Sequence, residues 1–191
     1  MVEVKRLIVG QMHTNCYLVW DEQTLETAII DPGDDADYLL NIIKDLGLLP
    51  KYIIGTHGHS DHLSALTEIK LALSIPFLLN EKDIFLLNRL SLPSLPDVLL
   101  TPETKINFGS ETLKVITTPG HTPGSVSLYF PGLLFSGDTL FYKAVGRTDL
   151  LYSSAKDLQS SLKKLFLLPP ETRVLPGHGD ETTISEEKNE D

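Results

Sequence analysis

Seven side chains of the types that bind transition metals fall in four short motifs along this chain. His57, His59, Asp61 and His62 occupy six consecutive positions as His-x-His-x-Asp-His. His121 follows in Thr118-Pro119-Gly120-His121-Thr122-Pro123-Gly124, Asp138 in Ser136-Gly137-Asp138-Thr139, and His178 in Pro176-Gly177-His178-Gly179. Of the six histidines only His13 stands outside these motifs. At the chain's own residue frequencies the first motif arises by chance roughly a few times in ten thousand chains, so the signal is specific.

Imidazole and carboxylate together suit zinc, iron, manganese or cobalt, whereas a sulfur-rich set would narrow the choice. Six terminal ligands and one bridging aspartate fit two metals about 3.5 Å apart that can share a hydroxide. A single closed zinc site that only staples the fold needs about four ligands, usually rich in Cys. The chain has one cysteine, Cys16. Isolated core histidines account poorly for five positions flanked by Gly or Asp.

Such ligands need rigid elements behind them, and the hydrophobic pattern supplies these. Strand-like runs cover residues 4–9, 16–20 and 27–30, the last ending at Asp31-Pro32-Gly33. Leu39, Leu40, Ile43 and Leu46 have helical spacing over residues 36–46, stopped by Gly47. A buried-type strand at 51–55 delivers the chain to Thr56. In an extended segment His57 and His59 point the same way and can reach one metal. A helix is expected over 63–73, then a strand at 75–79 and a helix at 81–90. Residues 91–102 hold three prolines among leucines and read as a lid or surface loop. Strands follow at 105–108, 112–117, 125–130 and 133–135, then a helix at 155–166 and a strand at 173–175. Each ligand-bearing turn follows a strand. Residues 186–191 read as a frayed tail.

The bulk properties exclude several classes. A chain of 191 residues is one domain with room for a substantial core. Its net charge of -10 argues against nucleic acid as the main partner, because phosphate binding needs a basic face. A lone cysteine forms no intrachain disulfide, and Cys16 reads as a small buried residue. No run approaches a membrane span and no apolar leader follows the first charges, so the expectation is a cytoplasmic protein without a membrane partner.

Taken together these motifs resemble the metallo-β-lactamase superfamily. More closely, the chain resembles the glyoxalase II group (hydroxyacylglutathione hydrolases) and its short, single-domain relatives. The resemblance runs from about Val4 to Thr183 and includes Gly146-Arg147-Thr148-Asp149. It implies an αββα sandwich, an α/β fold with metals at one edge between two sheets. The catalytic domain would be residues 1–183, followed by a C-terminal tail at 184–191. His57, His59 and His121 would hold one metal, Asp61, His62 and His178 a second, with Asp138 bridging. Asp31 matches a position that supports the histidines, against the plainer reading of a strand-end turn. Two divalent ions are implied, zinc first, with iron or manganese as alternatives.

The activity implied is hydrolysis of a small-molecule thioester such as a hydroxyacylglutathione. Metal-bound water is acidified to near neutral pH, and Asp61 would hold one metal while orienting the nucleophile. A thiolate leaves readily, its conjugate acid having a pKa of roughly 8.5. Full-length glyoxalase II adds a C-terminal helical domain to its glutathione site, which this chain has no room for. Lys143 and Arg147 are the cations that could meet the carboxylates of a glutathione-like thiol, with Arg147 favoured by its bidentate geometry. Phe141 and Tyr142 read as loop packing. The Gly146–Asp149 motif is shared with persulfide dioxygenases, which would use one iron at His57, His121 and Asp138. Lactone hydrolysis is a further alternative.

Overall fold

The structure is a computed structural model and describes residues 1–89 and 95–188. Strands β1 (Val2–Val9), β2 (Thr14–Asp21) and β3 (Glu26–Ile30) form an antiparallel meander. Helix α1 (Ala36–Asp45) then crosses to β4 (Leu49–Ile54), which lies parallel to β3. Helices α2 (Ser60–Leu63) and α3 (Leu66–Leu73) lead to β5 (Phe77–Leu79). A single 3₁₀ turn (Glu81–Asp83), α4 (Ile84–Arg89) and β6 (Val98–Leu99) complete the first sheet, ordered β1-β2-β3-β4-β5-β6.

The second half begins with β7 (Lys105–Phe108), β8 (Glu111–Thr117), β9 (Val126–Phe130) and β10 (Leu133–Gly137). A small hairpin of β11 (Leu140–Phe141) and β12 (Ala144–Val145) precedes α5 (Ala155–Leu165). Then come β13 (Arg173–Pro176), β14 (Thr182–Thr183) and α6 (Ile184–Lys188). The second sheet is ordered β14-β13-β10-β9-β8-β7.

Side-chain alternation with period two divides the apolar residues between layers. Leu18, Ile29 and Ile53 pack outward under Leu39, Ile43, Leu66 and Ile69 of α1 and α3. Their neighbours Tyr17, Val19, Ala28, Ile30 and Ile54 face inward, against Phe108, Val115, Leu128, Phe135 and Leu175 of the second sheet. A third cluster, with Leu134, Val174, Leu165 and Ile184, lies beneath α5 and α6. Ser154 caps α5 by accepting a hydrogen bond from the Asp157 amide. The result is the expected αββα sandwich.

Strand direction places the site. β8 and β10 are both antiparallel to β9, and β13 is parallel to β10, so all three deliver their C-terminal ends to one edge. Parallel β3 and β4 do the same in the first sheet. The sheets are stitched together there: the Val126 amide donates to Thr56 O at 2.9 Å and the Asn15 amide to Gly177 O at 2.7 Å.

Three local expectations are corrected. The helix expected over 63–73 is broken after Leu63, because the Ala65 amide donates across to Pro32 O at 3.1 Å. Of the 91–102 segment, residues 91–94 lie outside the described residues. The remainder is not all loop: Val98–Leu99 pairs with β5, and Leu100 O accepts from Asn80 Nδ2 at 2.9 Å. The tail expected from 184 starts as a helix, since the Ile184 amide donates to Thr172 O and its side chain is fully buried. Ile184→Ala should therefore cost about 2–5 kcal/mol of stability. Urea unfolding of the variant checks this, and an unchanged midpoint would return residue 184 to the tail.

Candidate metal centre

The strand ends bring the seven motif residues into one cluster with two halves. His57, His59 and His121 converge their ligand atoms within 4.8 Å, as do Asp61, His62 and His178, and also His57, His62 and Asp138. In the first half His59 Nδ1 lies 2.9 Å from His57 Nε2 and 3.0 Å from His121 Nε2. In the second, His178 Nε2 lies 3.2 Å from both His62 Nε2 and Asp61 Oδ2. Asp138 stands between them, with Oδ2 3.5 Å from His121 Nε2 and 3.8 Å from His178 Nε2.

What holds the outer edge of each ring settles what the inner edge presents. His121 Nδ1 faces the Arg147 carbonyl at 3.0 Å, and His178 Nδ1 the Met12 carbonyl at 3.1 Å. His62 Nδ1 faces Asp31 Oδ2 at 3.0 Å. Thr56 donates its hydroxyl to the same Asp31 oxygen at 2.7 Å, leaving its lone pair for His57 Nδ1 at 3.1 Å. Carbonyl and carboxylate oxygens only accept, so each of these rings carries its proton on the outer nitrogen. The inner nitrogens of His57, His62, His121 and His178 are thereby left facing the centre of the cluster, open to a proton or a metal ion. Two such nitrogens 3.2 Å apart, as in His62 and His178, need a proton or a metal ion between them.

The surrounding charges distinguish the two halves. Burial first, and then the neighbouring imidazoles, push the His57 pKa well below its ordinary value; the same causes bring His59 to about 4. Burial opposes charge on His62 as well, but Asp138 and Asp31 outweigh it and draw a proton there. For His178, burial is outweighed by the hydrogen bond to Asp61. Asp61 is held at about 2 because its histidine partners exceed the burial penalty. Asp138 Oδ1 is buried with no hydrogen-bond partner, an acceptor that a cation would satisfy. The close packing is built from glycine: a Cβ at Gly177 would run into Asp138 Oδ1, and one at Gly146 into the Asp138 carbonyl. The donor set therefore fits divalent cations.

Asp31 is more than a turn. Its backbone sits at φ 51°, and its carboxylate takes the Thr56 amide, the Thr56 hydroxyl and His62 at once. Lys143 stands in the turn of the β11–β12 hairpin, its amide donating to Glu187 Oε2 at 2.9 Å. The Arg147 guanidinium makes a bidentate pair with Asp149, both bonds 2.7 Å, so the residue reaches the cluster through its carbonyl rather than its charge.

Two contributors escaped sequence reading. The Tyr152 hydroxyl meets His59 Nε2 at 2.6 Å. Asp83, fully buried, accepts from the Gly58 amide (2.9 Å), the Thr122 hydroxyl (2.6 Å) and the Gly124 amide (2.7 Å). It clasps the His57–His59 turn to the turn carrying His121. No local pattern marks either residue.

With this geometry in hand, the comparisons with known proteins are specific. The model of the metallo-beta-lactamase superfamily matches residues 9–178, and the chain belongs to that superfamily. The hydroxyacylglutathione hydrolase GloC of Haemophilus influenzae is 34% identical, over 98% of this chain and 95% of that one. The crystal structure of BLEG-1, a B3 metallo-beta-lactamase, is similar with a TM-score of 0.89 and 37% identity, covering 98% of this chain and 97% of that one. The protein TTHA1623, solved in a di-iron-bound form, gives a TM-score of 0.87 and 38% identity over 97% of each chain.

Two measurements test the site. His57 and His59 are neutral across the neutral range, whereas His62 and His178 have raised pKa values and hold protons to higher pH. Protons compete with metal, so the Asp61–His62–His178 half should lose its ion first as pH falls from 8 to 6. Chelator competition at the two pH values reads this, and equal losses from both halves would refute it. Asp83→Asn turns an amide donor toward donors that need an acceptor. It should cost about 1–3 kcal/mol and weaken metal binding in the His57–His59–His121 half before the other. A stability loss with both affinities intact would reduce Asp83 to a packing residue.

Proposed function

We propose that this protein is a binuclear metal-dependent hydrolase that cleaves a thioester of the hydroxyacylglutathione type. The observation that carries the reading is the pair of half-sites converging on Asp138, with their outer nitrogens held and their inner nitrogens facing the centre. Similarity to GloC over nearly both whole chains supports the substrate class. The di-iron form of TTHA1623 supports a two-ion centre, and leaves iron beside zinc as the resident metal.

Divalent ions in such half-sites supply Lewis acidity, bringing the pKa of a coordinated water near 7 and polarising a carbonyl. The chain's own residues do the rest. His57, His62 and His121 are buried and fixed at their outer edges, so the ligand geometry is set before substrate arrives. Asp61, ionised at neutral pH and partly exposed, can accept a hydrogen bond from the attacking water and orient it. A thiolate departs without a proton donor, since its conjugate acid has a pKa near 8.5. This agrees with a cluster whose titratable groups are engaged as ligands or their supports.

The test is an elemental count on protein purified without added metal, paired with turnover of S-lactoylglutathione and oxygen uptake with glutathione persulfide. Two ions per chain and thioester cleavage are expected, and Asp61→Asn should lower kcat about 100-fold. One iron with oxygen consumption would replace this reading by the dioxygenase.

A further inference from the structure

The cluster is reached through its partly exposed members, among them Asp61 and His178. His62 and His121 are sealed, whereas the His178 side chain is 27% exposed. His178 also lines a groove of about 330 Å³ together with Phe141, Tyr142, Gly179 and Asp180. The Phe141 ring centre lies 6.5 Å from that of His178. Tyr142 is 47% exposed, and Met12, whose carbonyl takes the His178 proton, is 66% exposed. Large apolar side chains gathered beside a reactive centre mark a binding surface rather than chance exposure.

The groove is also rigid. Phe141 pairs with Ala144, which puts Tyr142 and Lys143 in the turn of the β11–β12 hairpin. Lys143 adopts φ 54°, its amide is fastened to Glu187 of α6, and its ammonium lies 5.2 Å from the Tyr142 ring centre. A tyrosine on a fastened turn gives contact area at little cost in conformational entropy. The Arg147 guanidinium, which could have read an anionic thiol, is engaged with Asp149.

We propose that the Phe141–Tyr142–His178 groove is a substrate subsite seating an apolar, ring-sized group next to the scissile carbonyl. Selectivity then comes from apolar contact beside the His178 half-site rather than from the Arg147 guanidinium. The proposal rests on the hydrolase reading and deepens it. The apolar group can sit on the acyl or the thiol side of the bond, and the assay separates the two.

In the acyl arm the metal-loaded protein is given S-phenylacetyl and S-acetyl derivatives of one thiol. In the thiol arm it is given acetyl thioesters of phenylethanethiol and ethanethiol. In at least one arm the phenyl compound should be preferred by about tenfold or more in kcat/KM. Tyr142→Ser should abolish that preference and Tyr142→Phe should keep it. No preference in either arm, or an equal loss on both members of a pair, would overturn the proposal. Calorimetry with an uncleavable phenylethyl thioether and its ethyl analogue reads the groove without turnover. Tighter binding of the phenyl compound, lost in Tyr142→Ser, is expected, and equal binding of the two compounds would overturn it. If no thioester is cleaved the hydrolase reading falls, while thioether binding still decides the groove.

Discussion

Five imidazoles and two carboxylates face one another across about 3–4 Å at one edge of this sandwich, most of them shielded from water. Polar groups brought together this way are unfavourable unless each finds a partner. The surrounding structure supplies partners only on the outside of the rings. The Met12 and Arg147 carbonyls, Thr56 and Asp31 fix the outer nitrogens and leave the inner ones open to a cation. Asp31 achieves its double contact from a left-handed backbone conformation, which costs an aspartate of order 1–3 kcal/mol. Strain of that size at the end of a buried strand persists because Thr56 and His62 both depend on it.

The two sheets have unequal tasks around this point. β4 supplies the histidine-rich turn, while β8, β10 and β13 supply one residue of the cluster each from the opposite layer. The cluster therefore exists only when the layers are in register, which is why main-chain bonds from Val126 and Asn15 cross between them here. Asp83 adds a side-chain crosslink between ligand turns of different sheets. His62 and His121 are buried whereas Asp61 and His178 are partly exposed, so access to the cluster runs past those two.

Charge acts locally in this protein. A net charge of -10 would repel anions at long range, yet divalent cations held by this donor set would reverse the sign of the field inside the cleft. The Arg147–Asp149 pair is neutral as a unit and exposed, so it does little to that field. Recognition beside the cluster falls to shape and apolar contact around His178.

The sequence by itself determined which metal-binding residue types cluster, their placement after strands and the order of strands and helices, while the αββα layering followed from the family resemblance. Those features are written locally: alternation with period two, helical spacing and glycine-bearing turns each need only a few neighbouring residues. It also carried the Arg147–Asp149 pair, two residues apart, though the motif drew attention to the cation alone. Only the tertiary structure decided that α2 ends at Leu63, that Val98–Leu99 joins a sheet edge and that Ile184 is core. It alone revealed Asp83, which lies 25 to 41 positions from its partners, and Tyr152, which lies 93 positions from His59. Contacts across such separations form when two layers close on each other. A buried carboxylate with three donors looks, along the chain, like any surface aspartate until that closure brings the donors to it.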